Sequence, residues 1–234
     1  MPSTEADAYG IQDAARRMWP DAVVGWKVGL IQPPFDRQLG RSRLFGPIFA
    51  GAVRQFTDLP VTFGRIAGGF AAVEAEYVLR LGVDVAPKLG RRAAEAGLLV
   101  DALFAGVEFA GSPFPEINDH GPLVTISDFG NNAGLLLGPR LPGLSALGDE
   151  ACSMWIDGSR VGTGSPASIP GGPLGSLVEL LDHMGRRGEV LPAGTLVSTG
   201  AATGVHAVHT GQAAIADFGV HGRLEVRIER ALPC

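Results

Sequence analysis

Residues 71–81 read AAVEAEYVLRL. The run is apolar and leans toward β structure, with Glu74 and Glu76 two residues apart inside it. In a strand, the period of two places both side chains on one face, roughly 6–7 Å apart at the backbone, with Val73, Tyr77 and Leu79 nearby in sequence. Two like charges flanked by apolar residues either raise each other's pKa or attract a cation. A hard divalent ion such as Mg2+ answers that need, because it takes oxygen ligands. The alternative is a half-exposed edge strand with both glutamates in water.

Two residues outside this strand extend the pattern. Residues 22–30, AVVGWKVGL, read as a strand with Lys27 in its middle. The chain uses two lysines against 17 arginines, so a lysine within an apolar strand is unusual for it. A partly buried lysine can lower its pKa and move protons; otherwise it snorkels from an edge strand to the surface. Residues 100–110, VDALFAGVEFA, carry Glu108 near the end of a mostly apolar run. Such a carboxylate is costly unless paired. It either salt-bridges an arginine or completes a three-carboxylate metal site with Glu74 and Glu76, water and substrate filling the remaining positions.

The bulk numbers narrow the class. With 234 residues, one domain with one core is the default. Hydrophobic residues at 46%, charged residues at 18% and a mean hydropathy of +0.20 describe an ordinary globular chain, not a disordered one. A net charge of -5 without a basic patch argues against nucleic acid. No apolar run reaches the ~18 residues that span a membrane. The acidic start MPSTEADAYG lacks the apolar segment of a signal peptide. Cys152 and Cys234 make no disulfide framework and read as unpaired thiols in a reducing cytoplasm. The 34 glycines and 17 prolines are spread along the chain, which suits many short strands joined by tight turns.

The remaining segments fit a β-rich α+β chain without repeats. Residues 6–19 predict a helix with a stripe of Ile11, Ala14, Ala15 and Met18, ended by Pro20. Residues 31–45 predict a mobile loop that can include a short helix, and whose Arg37, Arg41 and Arg43 are placed to meet an anionic substrate. Short strands follow over 46–63, then a helix over 91–99, a loop over 112–129 and a strand over 131–138 that begins with two amides. Another loop covers 139–149. A hairpin over 152–161 turns at Asp157 and Gly158. Residues 174–184 predict a helix with His183 at its C-terminal end, a favourable structural position. Residues 195–204, TLVSTGAATG, run from a strand into a glycine loop where backbone N–H groups and the hydroxyls of Thr199 and Thr203 can take a carboxylate. The lysine of a P-loop is absent there. His206 and His209 read as loop histidines, and a strand pair over 213–218 and 222–228 closes the chain.

At this point the segments GWKVGL (25–30), VEAEYVLRLG (73–82), GVEFAGS (106–112) and LPAGTLVSTGAATG with ADFGVHGRLEVRI resemble the fumarylacetoacetate hydrolase superfamily. The likeness is to its 2-keto-4-pentenoate hydratase and 4-oxalocrotonate decarboxylase branch, and it covers the chain from about Gly25 onward. The resemblance implies an α+β fold, a mixed β-sandwich or β-roll with a few flanking helices. Residues 1–24 then form an N-terminal helix and lead-in, and 25–234 a single catalytic domain. It implies Mg2+ or Mn2+ held by Glu74, Glu76 and Glu108, with Lys27 as the catalytic residue. Thr199 and Gly200 fall on the family's substrate-contacting turn, and Arg41 joins them as a substrate-binding residue from the loop. The expected partner is a small 2-oxo acid, the expected state a cytoplasmic homo-oligomer, with association with a pathway enzyme as a further expectation.

The implied activity is a divalent-metal-dependent lyase of aromatic catabolism acting on 2-oxo or 2-hydroxydienoic acids, first of all a hydratase. Two departures widen the choice. Hydratases of this type carry an aspartate just before FG in the segment matching LFGPIF, where this chain has Leu44; Asp36 is a candidate replacement. The His–Glu pair of the hydrolase branch has no counterpart in 31–45, which speaks against C–C hydrolysis. The alternatives are a 4-oxalocrotonate- or oxaloacetate-type decarboxylase, tautomerisation alone, a C–C hydrolase of the same superfamily and a non-catalytic partner subunit.

Overall fold

Alternating apolar runs punctuated by Gly, Pro and Asn become strands along most of the chain. The computed structural model describes residues 1–57, 59–143 and 151–231. In chain order the strands are β1 (Val23–Leu30), β2 (Arg43–Phe49), β3 (Val53–Gln55), β4 (Val61–Arg65), β5 (Phe70–Leu81), β6 (Val100–Ser112), β7 (Asn132–Arg140), β8 (Cys152–Ile156), β9 (Ser159–Gly164), β10 (Leu196–Ala201), β11 (His206–Ala207), β12 (Ala213–Asp217) and β13 (Arg223–Arg230). The α-helices are α1 (Glu5–Met18), α2 (Phe35–Leu39), α3 (Ala93–Gly97), α4 (Pro122–Ser127) and α5 (Gly172–Arg187). The later part of the expected loop 139–149 and the terminal Cys234 lie outside the described residues.

The larger sheet runs β2-β1-β10-β5-β6-β7-β3, with β11 also paired to β5, and the smaller runs β4-β13-β12-β8-β9. Both are mixed: β1 lies parallel to β10 and β13 to β4, while β5, β6 and β7 are antiparallel. The larger sheet curls until β2 touches β7. Ile48 of β2, Leu196 of β10, Val78 of β5, and Leu135 and Leu137 of β7 therefore meet in one apolar cluster on its concave side. The registers Lys27↔Gly46, Lys27↔Ser198, Ser198↔Val78 and Glu74↔Glu108 put Lys27 and all three glutamates on that same concave face. On the convex face Val73, Ala75, Tyr77 and Leu79 join the main core. There they meet Met154, Ala216, Leu224 and Val226 of the smaller sheet and Leu177, Leu180 and Leu181 of α5. Fully buried side chains such as Tyr77 and Leu79 contribute about 1.5–3 kcal/mol each.

Several expectations are corrected. The buried face of α1 is Ala8, Tyr9 and Gln12, while Ile11 and Met18 are exposed. The helix docks through polar groups: Gln12 donates to the carbonyls of Phe45 (2.9 Å) and Ile126 (2.7 Å), and the Tyr9 hydroxyl accepts from Phe45 N. Apolar periodicity does not register such contacts. The expected loop 31–45 ends early, because Arg43 and Leu44 already belong to the fully buried strand β2. The expected loop 112–129 holds the short helix α4, which starts at Pro122 after Gly121 at φ 79°. His183 lies inside α5 between the rings of Tyr9 and Phe45, both centroids at 4.5 Å. Burial first, then the nearby arginines, pushes its pKa down to about 3, so it is neutral and not a charged helix terminus.

Candidate active site

Antiparallel pairing sets Glu74 of β5 directly opposite Glu108 of β6. Like charges in that relation are destabilising in a bare sheet. Glu76 stands two residues along on the same face, and one carboxylate oxygen from each glutamate lies within 4.8 Å of the others. Glu76 and Glu108 are fully buried and Glu74 nearly so. The apolar plug of Val78, Leu135 and Leu196 shares the concave face with them, so water does not solvate the cluster from that side.

Glu76 and Glu108 are each oriented by neighbouring strands. Glu76 Oε2 accepts from Ser198 Oγ (2.5 Å) and from Gly200 N (3.0 Å). The register of β10 against β5 shifts between Ser198 and Ala201, and Gly200 at φ 109° turns its N–H toward Glu76. An L side chain rarely adopts that backbone, which accounts for glycine there. Glu108 Oε1 accepts from Asn132 Nδ2 (3.1 Å) and lies 3.1 Å from Lys27 Nζ. Glu76 Oε1 and Glu108 Oε2 are buried with no hydrogen-bond partner among the described residues. Buried carboxylate oxygens left bare are costly, and with Glu74 they form a donor set that could hold a hard cation.

The electrostatics follow from burial. Burial raises the Glu74 pKa to about 7, with Lys27 opposing and Glu108 adding to the rise. Glu76 is held well above the usual carboxylate range by burial and then by Glu108 and Glu74, against the Ser198 hydrogen bond and Lys27. For Lys27 in the metal-free fold the shift runs upward. Burial pulls it down, but the carboxylates of Glu108, Glu74 and Glu76 outweigh burial and hold it above the ordinary lysine value. Its stem lies in a slot made by Gly46 and Gly130, where a Cβ on Gly130 would stand 3.0 Å from Lys27 Cδ. Asn131 Oδ1 accepts from Lys27 Nζ at 3.5 Å, from a turn whose residues Phe129, Gly130 and Asn131 all have positive φ.

A cavity of about 660 Å3 opens over this cluster. Its charged lining residues are Lys27, Glu74 and Arg43, and Leu44, Ile31, Phe35 and Ile169 supply apolar wall. Gly200 lines it, whereas the Thr199 hydroxyl is committed to the Tyr77 carbonyl at 2.6 Å. Thr203, also in the wall, keeps a buried hydroxyl without a hydrogen-bond partner. Arg41 is not among the lining residues; its Nε lies 3.5 Å from Glu5, and the arginine in the wall is Arg43. Asp36 is likewise outside the lining, and its carboxylate accepts from Arg37 N. His206 is taken up by the Thr203 carbonyl at 2.9 Å, and His209 is exposed. Sequence reasoning missed Ser198, Asn131 and Asn132 as site residues. The paired amides opening β7 were the one available signal for the last two.

No family model matches the chain. Among curated proteins it is similar to a 2-keto-4-pentenoate hydratase of Paraburkholderia phymatum, 31% identical over 200 residues, 83% of this chain and 74% of the relative. It is also similar to a 4-oxalocrotonate decarboxylase of Pseudomonas putida, 27% identical over 219 residues, 89% of this chain and 79% of the relative. Among solved structures, the 4-oxalocrotonate decarboxylase of Pseudomonas putida G7 complexed with magnesium and adipate superposes with a TM-score of 0.80. That match is 22% identical and covers 96% of this chain and 86% of the other. The fumarylpyruvate hydrolase of Pseudomonas aeruginosa in complex with Mn2+ and pyruvate gives 0.61 at 20% identity, covering 88% and 89%. These two structures establish a shared fold.

Proposed function

We infer the activity from one premise: the chain belongs to the 2-keto-4-pentenoate hydratase family of the fumarylacetoacetate hydrolase superfamily. The reading is a divalent-metal-dependent lyase that adds water to a 2-hydroxydienoic acid of the 2-hydroxypenta-2,4-dienoate type. The observation that carries it is the convergence of Glu74, Glu76 and Glu108 beside Lys27, with two buried carboxylate oxygens left bare. That donor set fits a hard cation, so Glu74, Glu76 and Glu108 would hold Mg2+ or Mn2+. Such a cation, when bound, supplies Lewis-acid polarisation of a 2-oxo acid's oxygens.

The chain's own residues do the rest. Lys27, 3.1 Å from Glu108, takes the proton of the dienol's 2-hydroxyl and delivers one to its terminal carbon, which gives the 2-oxo tautomer and leaves the amine in its starting state. Water then adds across the remaining double bond, its hydroxyl going to C4 and its proton to C3. Ser198 and Gly200 hold Glu76 in place, Asn132 holds Glu108, and Asn131 limits the swing of Lys27. The walls at Ile31, Phe35, Leu44 and Ile169 keep bulk water from the dienol. Gly200 and Thr199 shape the turn that meets the acid.

A second reading rests on Leu44. An apolar side chain in the wall, where the resemblance calls for aspartate, leaves no carboxylate there to handle the added water. A 4-oxalocrotonate- or oxaloacetate-type decarboxylase needs no such group. A non-catalytic subunit is opposed by the oriented glutamates, and a homo-oligomer built on residues 25–234 as the catalytic domain completes the reading. Among the described residues no helix is long and apolar enough to cross a membrane. The test is the loss of dienol absorbance from 2-hydroxypenta-2,4-dienoate with and without Mg2+, run beside CO2 release from 4-oxalocrotonate. Turnover of the first supports hydration, turnover of the second alone supports decarboxylation, and turnover of neither rejects both.

A further inference from the structure

The cavity contains a cation that the proposed chemistry leaves unused. Arg43 is 3% exposed yet lines the cavity. One terminal nitrogen of its guanidinium is anchored on the Pro170 carbonyl at 2.7 Å. Its Nε is buried with no hydrogen-bond partner among the described residues. Glu179, on α5, stands 3.8 Å from Nε, at the limit of an ion pair. It is partly exposed, and Ser42 Oγ already donates to it at 2.9 and 2.8 Å. A Cβ built on Gly200 would lie 3.6 Å from Arg43 Nη1, so only the bare backbone of the Glu76-binding turn separates the guanidinium from the glutamates. Next to it, Leu44 removes the anion that the resemblance expects in this wall. A buried, oriented and under-paired arginine fork matches the planar geometry of a carboxylate.

We propose that Arg43 is the specificity-determining anion receptor of this cavity and takes a carboxylate of the substrate on its free guanidinium edge. The inference rests on the reading that a 2-oxo acid occupies the cavity. Two carboxylates qualify: the one beside the keto group, shared by every 2-oxo acid, or a second one at the far end of a dioic acid.

Calorimetric titration of the Mg2+-loaded protein with 2-oxopentanoate and 2-oxoglutarate separates these cases. The two acids have equal chains and differ only in the terminal carboxylate. Arg43→Met is expected to weaken binding about 10- to 100-fold, the range of a lost charge-assisted pair. Equal loss for both acids assigns the shared carboxylate; loss for 2-oxoglutarate alone assigns the distal one and a dioic substrate. Glu179→Gln, which removes the competing acid, is expected to leave affinity unchanged or raise it, whereas a purely structural clasp between β2 and α5 predicts a loss. If Arg43→Met does not fold, Arg43→Lys keeps the charge without the fork and is expected to lose several-fold. Wild type that binds while the Arg43 variants bind equally well overturns the role of Arg43 alone. Wild type that binds neither acid overturns the reading of the site and this inference with it.

Discussion

Removing the divalent cation should make the stability of this protein fall as pH rises, through Glu74. In the metal-free fold burial moves Glu74 from 4.5 to about 7. A carboxyl with a raised pKa keeps its proton longer in the fold than in the unfolded chain. Its contribution is therefore complete below pH 4.5 and is lost as pH rises through about 7. At about 1.4 kcal/mol per pH unit, ionising Glu74 in the metal-free fold costs ~3 kcal/mol by pH 8. Of this, ~2.5 kcal/mol falls between pH 5 and pH 8, and a domain of this size shifts by about 2–4 °C per kcal/mol, so Tm should drop by ~5–10 °C over that range. Glu76, raised further by burial and its two acidic neighbours, extends the loss to higher pH. Saturating Mg2+ offsets the repulsion, and its apparent affinity should weaken as pH falls and the ligands take up protons. The assay is differential scanning fluorimetry from pH 5 to pH 9, with chelator and with Mg2+, read as the difference between the two series. Glu74→Gln should flatten the chelator series. Parallel Tm curves with and without metal would show that no cation is held by these glutamates.

Further outcomes follow from other contacts. Lys27→Met should lower turnover by about 100-fold or more, the scale of a lost proton donor, while Mn2+ affinity measured by calorimetry stays within a few-fold; unchanged turnover would remove Lys27 from the chemistry. Gly46→Ala drives a Cβ into the Phe129 carbonyl and displaces the turn that carries Asn131. It should cost about 1–3 kcal/mol in urea unfolding and impair activity, and a wild-type midpoint would contradict the packing described. His183 titrates at about 3 in the fold against 6.5 ordinarily, so its contribution is present above pH 6.5 and lost as pH falls toward 3. At pH 5 the loss should be ~2 kcal/mol, and His183→Phe should remove that acid sensitivity from the Mg2+-saturated protein.

The chain's local patterns and its tertiary structure decided different things. The apolar, β-leaning runs that became β5 and β6, turn residues such as Asp157-Gly158 and the spread of glycines were enough for a β-rich α+β fold. The cost of burying Glu74, Glu76 and Glu108 was enough to single them out, because charge inside an apolar strand is visible without knowing what the strand pairs with. Their convergence was not available locally: it depends on β5 and β6 pairing in the one register that sets Glu74 against Glu108. The same limit explains Arg41 and Arg43. Both stand in one basic stretch, and only the start of β2 at Arg43 turns that side chain into the cavity while Arg41 pairs with Glu5. The residues that orient the acids are farther away still, with Ser198 bonded to Glu76 across 122 positions and Asn131 to Lys27 across 104. Burial cost is a property of a residue and its near neighbours and is written in the chain. The partner that relieves it is chosen by sheet register and curl, which exist only once the strands have met.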